Sequence, residues 1–482
     1  MWGYRVAHFW ESPIEYAKIR DQIMAHTSVG NISVITRFPP SPTGKLHIGN
    51  ARTALFNYLF TKHHGGKIIL RFEDTDRARS KKEYEENILD ALAWLGIKFA
   101  ETYRQSERND IYRKYLERLI TENTAYVSNE TDEAGKQSSV VRFRNPNKKI
   151  TFTDIVRGDI TFDTEELKDF VIARSIDDPI YHFAVVVDDF EMGLTHIIRG
   201  EDHISNTPRQ ILIQEAIGAP RPVYAHLPLI LSKDRSKLSK RSNAVATTEY
   251  RDLGYLPEGI VNYLALLGWN PGTEQEIFTL SELIEQFDIE KIQKGGAVFD
   301  IEKLNWVNKE HIRRIPQDTF ETMIQTYIPK EIMNESDSKK RLHRLIPLIQ
   351  EKAEILCDVK NQFEQGEYAY IFEAPREYDI SKLMWKDEKD PKIASEKLSQ
   401  ILKILSEIPS NDFSEISLKE KIWDFATNAG RGTILWPMRY ALSGRERSPD
   451  PFSLGAILGK EETLARIEKA ISALKNREGS IS

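Results

Sequence analysis

The chain has 482 residues, 40% hydrophobic and 29% charged, a length that predicts about three domains at roughly 150 residues each. No apolar run approaches the ~18 residues of a membrane span, and a net charge of -6 excludes a bulk polycation, so any nucleic-acid affinity must come from local basic patches. One cysteine, Cys357, excludes an internal disulfide and a thiolate zinc cluster, which makes the cytosol the default compartment.

Residues 1–31 read as an extension, with a short helical stretch around 13–24 and neither an uninterrupted apolar segment nor an acid-poor composition that would make a targeting peptide. ISVITRF (32–38) is strand-like, PPSPTGKLHIG (39–49) is rich in turn residues, and NARTALFNYLFTKHH (50–64) has helical apolar spacing. Two glycines then break the helix and KIILRF (67–72) reads as a buried strand, which makes a βαβ unit with parallel strands. Helices are predicted at 80–95 and 107–121, and the polar SNETDEAGKQSS (128–139) is predicted as a surface loop. Strand signals return at VVRFRN, ITFTDIV, FVIAR, YHFAVVVDDF and THIIRG; SNTPRQILIQEAIG (205–218) reads as a helix and VYAHLPLI (223–230) as a strand. Past 246 the pattern is mostly helical, with no strand predicted beyond about 330. The fold class is therefore an α/β doubly wound, Rossmann-like domain carrying an α+β insertion, followed by an all-α C-terminal region.

In a doubly wound sheet, ligands sit beyond the carboxyl ends of the strands. Arg37 closes the first predicted strand, Glu73, Asp74 and Asp76 follow the second, and Arg199 stands at the end of THIIRG with Glu201 and Asp202 after it. Arginine takes a carboxylate in a two-pronged fork and Glu73 suits an ammonium group, so this set fits a small zwitterion; the bland alternative is a surface salt-bridge network. PSPTGKLHIGN leads straight into a helix N-terminus, whose free N–H groups suit phosphate oxygens. Gly44 and Gly49 allow close backbone approach there, and His47 is placed to donate to a phosphoryl oxygen. The loop is not a Walker loop, because GxxxxGK[ST] is absent. Five cations and one acid crowd KDRSKLSKR (233–241), where Lys237 and Lys240 could close over a polyphosphate and neutralise developing charge.

Together these segments resemble class I aminoacyl-tRNA synthetases, specifically the bacterial-type glutamyl-tRNA synthetases. PPSPTGKLHIGN is similar to that family's HIGH-signature region and KLSKR to its KMSKS-signature loop. LRFEDTDRAR, YHFAVVVDDFEMGLTHIIRGEDHISNTPRQ and YAHLPLIL match between them, and FDIEKLNWVN (299–308) and GRGTILWPMRYALSGRERSPDPF (430–452) resemble the stem-contact and anticodon segments. Two departures stand out: Asn50 replaces the last histidine of the signature, and the stretch 126–143 lacks the cysteines that many relatives carry there.

The resemblance implies ATP-dependent activation of L-glutamate and transfer to tRNA-Glu, with tRNA-Gln an open second substrate. It implies Mg²⁺ carried on ATP, no zinc, a cytoplasmic monomer and no membrane partner. His47, Lys237 and Lys240 would be catalytic; Ser41, Gly44, Gly49, Asn50, Asp202, His203 and Lys240 would bind ATP. Arg37, Ser41, Glu73, Tyr181 and Arg199 would bind glutamate, and Arg431, Arg439, Arg445 and Arg447 would contact tRNA. The implied domains are an extension (1–31), the first catalytic half (32–103), an insertion contacting the acceptor stem (104–180), the second catalytic half (181–241), a stem-contact domain (242–325) and a helical anticodon-binding domain (326–482). The rival readings are a glutaminyl-tRNA synthetase, whose anticodon domains are β-barrels, a tRNA-modifying glutamyl transferase, and a catalytically inactive tRNA-binding paralogue.

Overall fold

A computed structural model describes residues 33–131, 137–236, 238, 246–386, 388 and 390–478. The extension 1–31 lies outside them. The predicted βαβ unit forms as read: β1 (Ile35–Phe38) and β2 (Lys67–Phe72) flank the helix Ile48–His63, and β3 (Glu101–Arg104) follows the helix Lys82–Trp94. The three strands pair in parallel, with Arg37 opposite Ile69 and Leu70 opposite Thr102. β3 was not anticipated; at four residues with no buried side chain it carries no hydrophobic signal.

After the helix Asn109–Thr121 the chain turns antiparallel. β4 (Ala125–Thr131) and β5 (Gln137–Phe143) pair in register, and β6 (Lys149–Asp154) and β7 (Gly158–Asp163) form a hairpin. β8 (Phe170–Ser175) and β9 (Asp178–Pro179) complete the β4-β5-β8-β9 sheet. The surface loop expected at 128–139 is thus corrected. Ser128 pairs with Val140 and Asn129 with Ser139, and only 132–136 fall outside the described residues. Its polarity reflects exposed strands held by backbone bonds and polar cross-strand pairs, such as Ser139 Oγ donating to Asn129 Oδ1 at 2.6 Å.

YHFAVVVDDF is a second correction. It is the helix Tyr181–Glu191, not a strand, with every residue from Phe183 to Asp189 buried. A fully buried run has no polar face to reveal its period, and the low helix propensity of valine, a few tenths of a kcal/mol each, is overridden by packing.

β10 (His196–Gly200) and β11 (Val223–Leu227) are again parallel, with the helix Thr207–Ala216 between them, and the β6–β7 hairpin extends their sheet through Asp154 opposite Tyr224. β10 abuts β1: Thr195 N donates to Ile35 O at 3.0 Å, and Ile35 N to Thr195 Oγ1 at 2.9 Å. The carboxyl ends of β1 and β10 therefore lie side by side, the switch point of a doubly wound sheet. β12 (Ile230–Leu231) and β13 (Ala297–Val298) form a last short parallel pair.

The chain divides into two compact units, Met1–Asn308 and Lys309–Ser482. Among the described residues the second unit is all helix. Its helices Pro391–Ser406 and Lys460–Glu478 pack through fully buried Leu398, Ile401, Leu405, Ile467 and Leu474, each worth about 1.5–3 kcal/mol of burial. Asp390 caps the first of these, with Pro391 at its first position, and Gly444 ends Arg431–Ser443 in the left-handed conformation (φ 64°).

Candidate active site

A cleft of about 530 Å³ opens at the carboxyl ends of β1, β2 and β10, lined among others by Arg37, Ser41, His47, Gly49, Asn50 and Glu73. Tyr181, Arg199, Asp202 and His203 line its other side, so ten of the residues singled out in the sequence converge on one cavity. Gly44 does not line it. Lys237 and Lys240 lie outside the described residues. Their described neighbours flank the cleft: Leu238 lines it, and Ala246 is bridged to His47.

His47 is the N-cap of Ile48–His63, in extended conformation and without a side-chain capping bond. Ala51 N, bonded to His47 O at 2.9 Å, is the first amide held inside the helix, so the N–H groups of Ile48, Gly49 and Asn50 are outside its ladder. A Cβ on Gly49 would stand 3.4 Å from His47 Nδ1, so glycine keeps a little room beside the imidazole at the helix end. Such an end attracts an anion through its free donors and its dipole. Gly200 does similar work for Asp202, whose Oδ1 sits 2.5 Å from where a Cβ would be.

The two arginines at the strand ends are buried but differently held. Arg37 is 2% exposed and its Nε reaches Asp189 Oδ1 at 3.4 Å, while among the described residues its Nη1 has no hydrogen-bond partner. Arg199 is 4% exposed and, among the described residues, donates only to neutral groups: Thr207 Oγ1 at 2.8 Å, Gln210 Oε1 at 2.7 Å and His226 Nε2 at 3.1 Å. Burial holds its pKa below the usual arginine value. His226 can accept because Asp154 Oδ2, 2.7 Å from its Nδ1, fixes the proton there, and because burial depresses its pKa despite that carboxylate.

Behind Arg37 lies a network that sequence reading missed. Arg71 is fully buried, with Nη1 on Asp189 Oδ1 at 2.7 Å, Nη2 on Glu73 Oε1 at 3.3 Å and Nε 3.8 Å from Asp188 Oδ2. Burial opposes its charge, yet Asp189, Asp188 and Glu73 together raise its pKa. Asp188 also accepts from Arg108 Nε and Tyr112 Oη, both at 2.7 Å, and from Gln105 Nε2 at 3.0 Å. Burial pushes the Glu73 carboxyl up to about 7, against the pull of Arg71 and Arg37. The signal was present in the sequence, since an arginine in KIILRF and two aspartates in VVVDDF are charges inside apolar runs, and buried charges are nearly always paired. Arg52, buried and lining the same cleft, was also missed; it donates to the backbone oxygens of Leu267 and Pro228.

Tyr181 Oη lies 3.1 Å from His203 Nδ1, which Asn206 Nδ2 also approaches at 3.3 Å. Burial, with Arg199 nearby, lowers the His203 pKa to about 4. The ring is therefore neutral at pH 7.

The four C-terminal arginines lie in the second unit. Arg431 stacks on Trp423 at 4.6 Å and Arg439 on Trp436 at 4.7 Å. Arg445 lies over Tyr370 at 4.9 Å and donates to Gly366 O at 2.9 Å, and Arg447 is exposed. Trp436 is half-buried against Trp385, its Nε1 donating to Lys382 O at 2.8 Å. Trp94 and Trp423, whose helical spacing suggests core positions, are only half-buried.

The family described as tRNA synthetases class I (E and Q), catalytic domain, matches residues 33–139 and 131–306, and an anticodon binding domain matches 319–471. The glutamate–tRNA ligase of Aquifex aeolicus is 40% identical over 481 residues, covering 92% of this chain and 99% of its own. That of Desulforamulus reducens is 39% identical, covering 91% of this chain and all of its own. Among solved structures, a glutamate tRNA ligase from Elizabethkingia meningosepticum in complex with its amino acid superposes with a TM-score of 0.77 at 33% identity, over 92% of this chain and all of its own.

Proposed function

The chain belongs to the class I tRNA synthetases of the glutamate and glutamine type, and from that premise we propose that it is a glutamate–tRNA ligase. It activates L-glutamate with ATP and passes the glutamyl group to the terminal ribose of tRNA-Glu. The observation that carries this reading is the single cleft that joins two buried arginines and a carboxylate to an open helix N-terminus.

In the first step a carboxylate oxygen of glutamate attacks the α-phosphorus of ATP, and the bond to pyrophosphate breaks. No general base is required, since a free carboxylate with a pKa near ~4 is already ionised at pH 7. The task is positioning and charge neutralisation. Arg199 takes the α-carboxylate, supported by its all-neutral partners, and Arg37 takes the side-chain carboxylate on its unpartnered Nη1. Glu73 receives the ammonium group, with Ser41 and Tyr181 completing the pocket. Glutamine would leave the Arg37 charge without its partner, which supports rejection of the order of 10⁴-fold without an editing site.

On the nucleotide side, the amides that open the helix Ile48–His63 and the His47 imidazole face the phosphates, with Gly49, Asn50, Asp202 and His203 beside ATP. Lys240 and Lys237 neutralise charge in the transition state. Mg²⁺ would be held largely by the phosphates themselves, as a hard cation prefers oxygen ligands. No zinc enters this reading.

Arg431, Arg439, Arg445 and Arg447 contact tRNA from the anticodon-binding region (326–482), where unpaired bases are read by stacking and edge hydrogen bonds. Residues 104–180 and 242–325 meet the acceptor arm, and the enzyme works as a cytosolic monomer. Charging purified tRNA-Glu and tRNA-Gln side by side with labelled glutamate tests the reading. Charging of tRNA-Glu alone makes the enzyme discriminating, and charging of both adds tRNA-Gln to its substrates. No charging of either overturns the assignment.

A further inference from the structure

In a cleft that reads a side-chain carboxylate through Arg37, that guanidinium must be held against Glu73, an opposite charge close enough for each to feel the other. One residue on its far side is placed to do so. Asp189, in the helix Tyr181–Glu191, accepts from Arg37 Nε at 3.4 Å and from Arg71 Nη1 at 2.7 Å on the same oxygen, Oδ1. Arg71 is 0% exposed and is flanked by Asp188, itself bonded to Arg108, Tyr112 and Gln105. Asp189 thus ties a cleft-facing arginine to a buried, multiply bonded cluster.

We propose that Asp189 is a positioning residue that fixes Arg37 so that its unpartnered Nη1 meets the substrate's side-chain carboxylate, and that it thereby sets the preference for the acid over the amide. The inference rests on the assignment of Arg37 given above. Without the Asp189 charge, Arg37 and Arg71 repel each other and Arg37 turns toward Glu73, so that two substrate-binding groups engage one another instead. Glutamate then meets a misplaced cation. Glutamine, which never used that charge, loses little.

The test uses the full chain with tRNA present and compares kcat/KM for glutamate and for glutamine in pyrophosphate exchange. The ratio of the two is independent of how much of a preparation is folded, so a merely structural role does not move it. Asp189→Asn should lower the ratio about 10- to 100-fold, the cost of misplacing one recognition group, and leave the KM for ATP unchanged. A ratio within about twofold of the parent would overturn the proposal. Arg37→Gln is the control. A collapse in Arg37→Gln but not in Asp189→Asn removes the positioning role alone, whereas no change in Arg37→Gln removes the assignment of Arg37 itself. Should Asp189→Asn fail to fold, Arg71→Lys keeps the charge but loses the guanidinium that reaches Asp189, Glu73 and Asp188 at once. It should shift the ratio in the same direction by a smaller factor, and an unshifted ratio there also overturns the proposal.

Discussion

The halves of the cleft around Arg37 and Arg199 use the same side chain at the end of a parallel strand, in opposite electrostatic company. Arg37 faces Asp189, which it shares with Arg71, and lies near Glu73. Arg199 rests on a threonine, a glutamine and a histidine that carry no charge. At an effective dielectric of about 20, a carboxylate about 4 Å away interacts with a guanidinium by about 4 kcal/mol. Arg37 therefore offers an incoming carboxylate a charge already partly answered, and Arg199 offers one that is not. Anionic support gives Arg37 a fixed orientation, and neutral support leaves Arg199 its full attraction.

The largest expected effect follows from that asymmetry. Arg199→Gln should lower kcat/KM for glutamate by about 10³-fold or more, since a desolvated carboxylate left without its partner costs several kcal/mol. Arg37→Gln should cost less, about 10²-fold, and lower the glutamate-to-glutamine ratio by about the same factor. Steady-state kinetics of the two variants decide the matter. A larger loss at Arg37 than at Arg199 would break the comparison.

A smaller effect comes from pH and belongs to the Arg37 half alone. The Glu73 carboxyl, pushed up to about 7, is neutral in acid and charged in base. Its hold on the substrate ammonium should weaken as pH falls from 8 to 6, raising the glutamate KM by up to about tenfold per pH unit on the steep part. Glu73→Gln should flatten that profile. Linkage gives stability the opposite slope: the folded state binds this proton more tightly than the unfolded chain, where the ordinary value is 4.5, so its contribution to stability falls between about pH 4.5 and 7 as pH rises.

How much of this was legible in the sequence depended on whether a residue marks the end of an element or the inside of one. Arg37, Glu73, Arg199 and His47 stand where an apolar run gives way to turn residues, and reading the βαβ pattern was enough to bring them together. Asp189 and Arg71 sit within apolar runs, where periodicity says only that the segment is buried. The same continuity made Tyr181–Glu191 look like a strand, and with the wrong period the aspartates could not be assigned a face. Gln210 and His226 stayed silent for a different reason. A neutral polar residue in a buried element is usually there to satisfy the backbone, and only distance shows it bonded to an arginine eleven or twenty-seven residues away.

The smallest effect sharpens the other half. His226 connects Arg199 to Asp154 of β6, and its neutral form is what lets Nε2 accept from Arg199 Nε. His226→Leu removes that acceptor while Asp154 keeps the backbone amides of Val156, Arg157 and residue 226, at 2.9–3.3 Å. The fold should lose about 1–3 kcal/mol for the buried groups left unpaired, read as a lower urea midpoint. Arg199 keeps Thr207 and Gln210, so its orientation loosens without reversing, and the glutamate KM should rise only about tenfold, with the glutamate-to-glutamine ratio unchanged. That last value separates the two halves: if, as proposed, the choice is made where the supporting charge is an aspartate, a neutral support can be weakened without altering which substrate is chosen. If His226→Leu moved the ratio as far as Asp189→Asn, the division of labour between the two arginines would have to be abandoned.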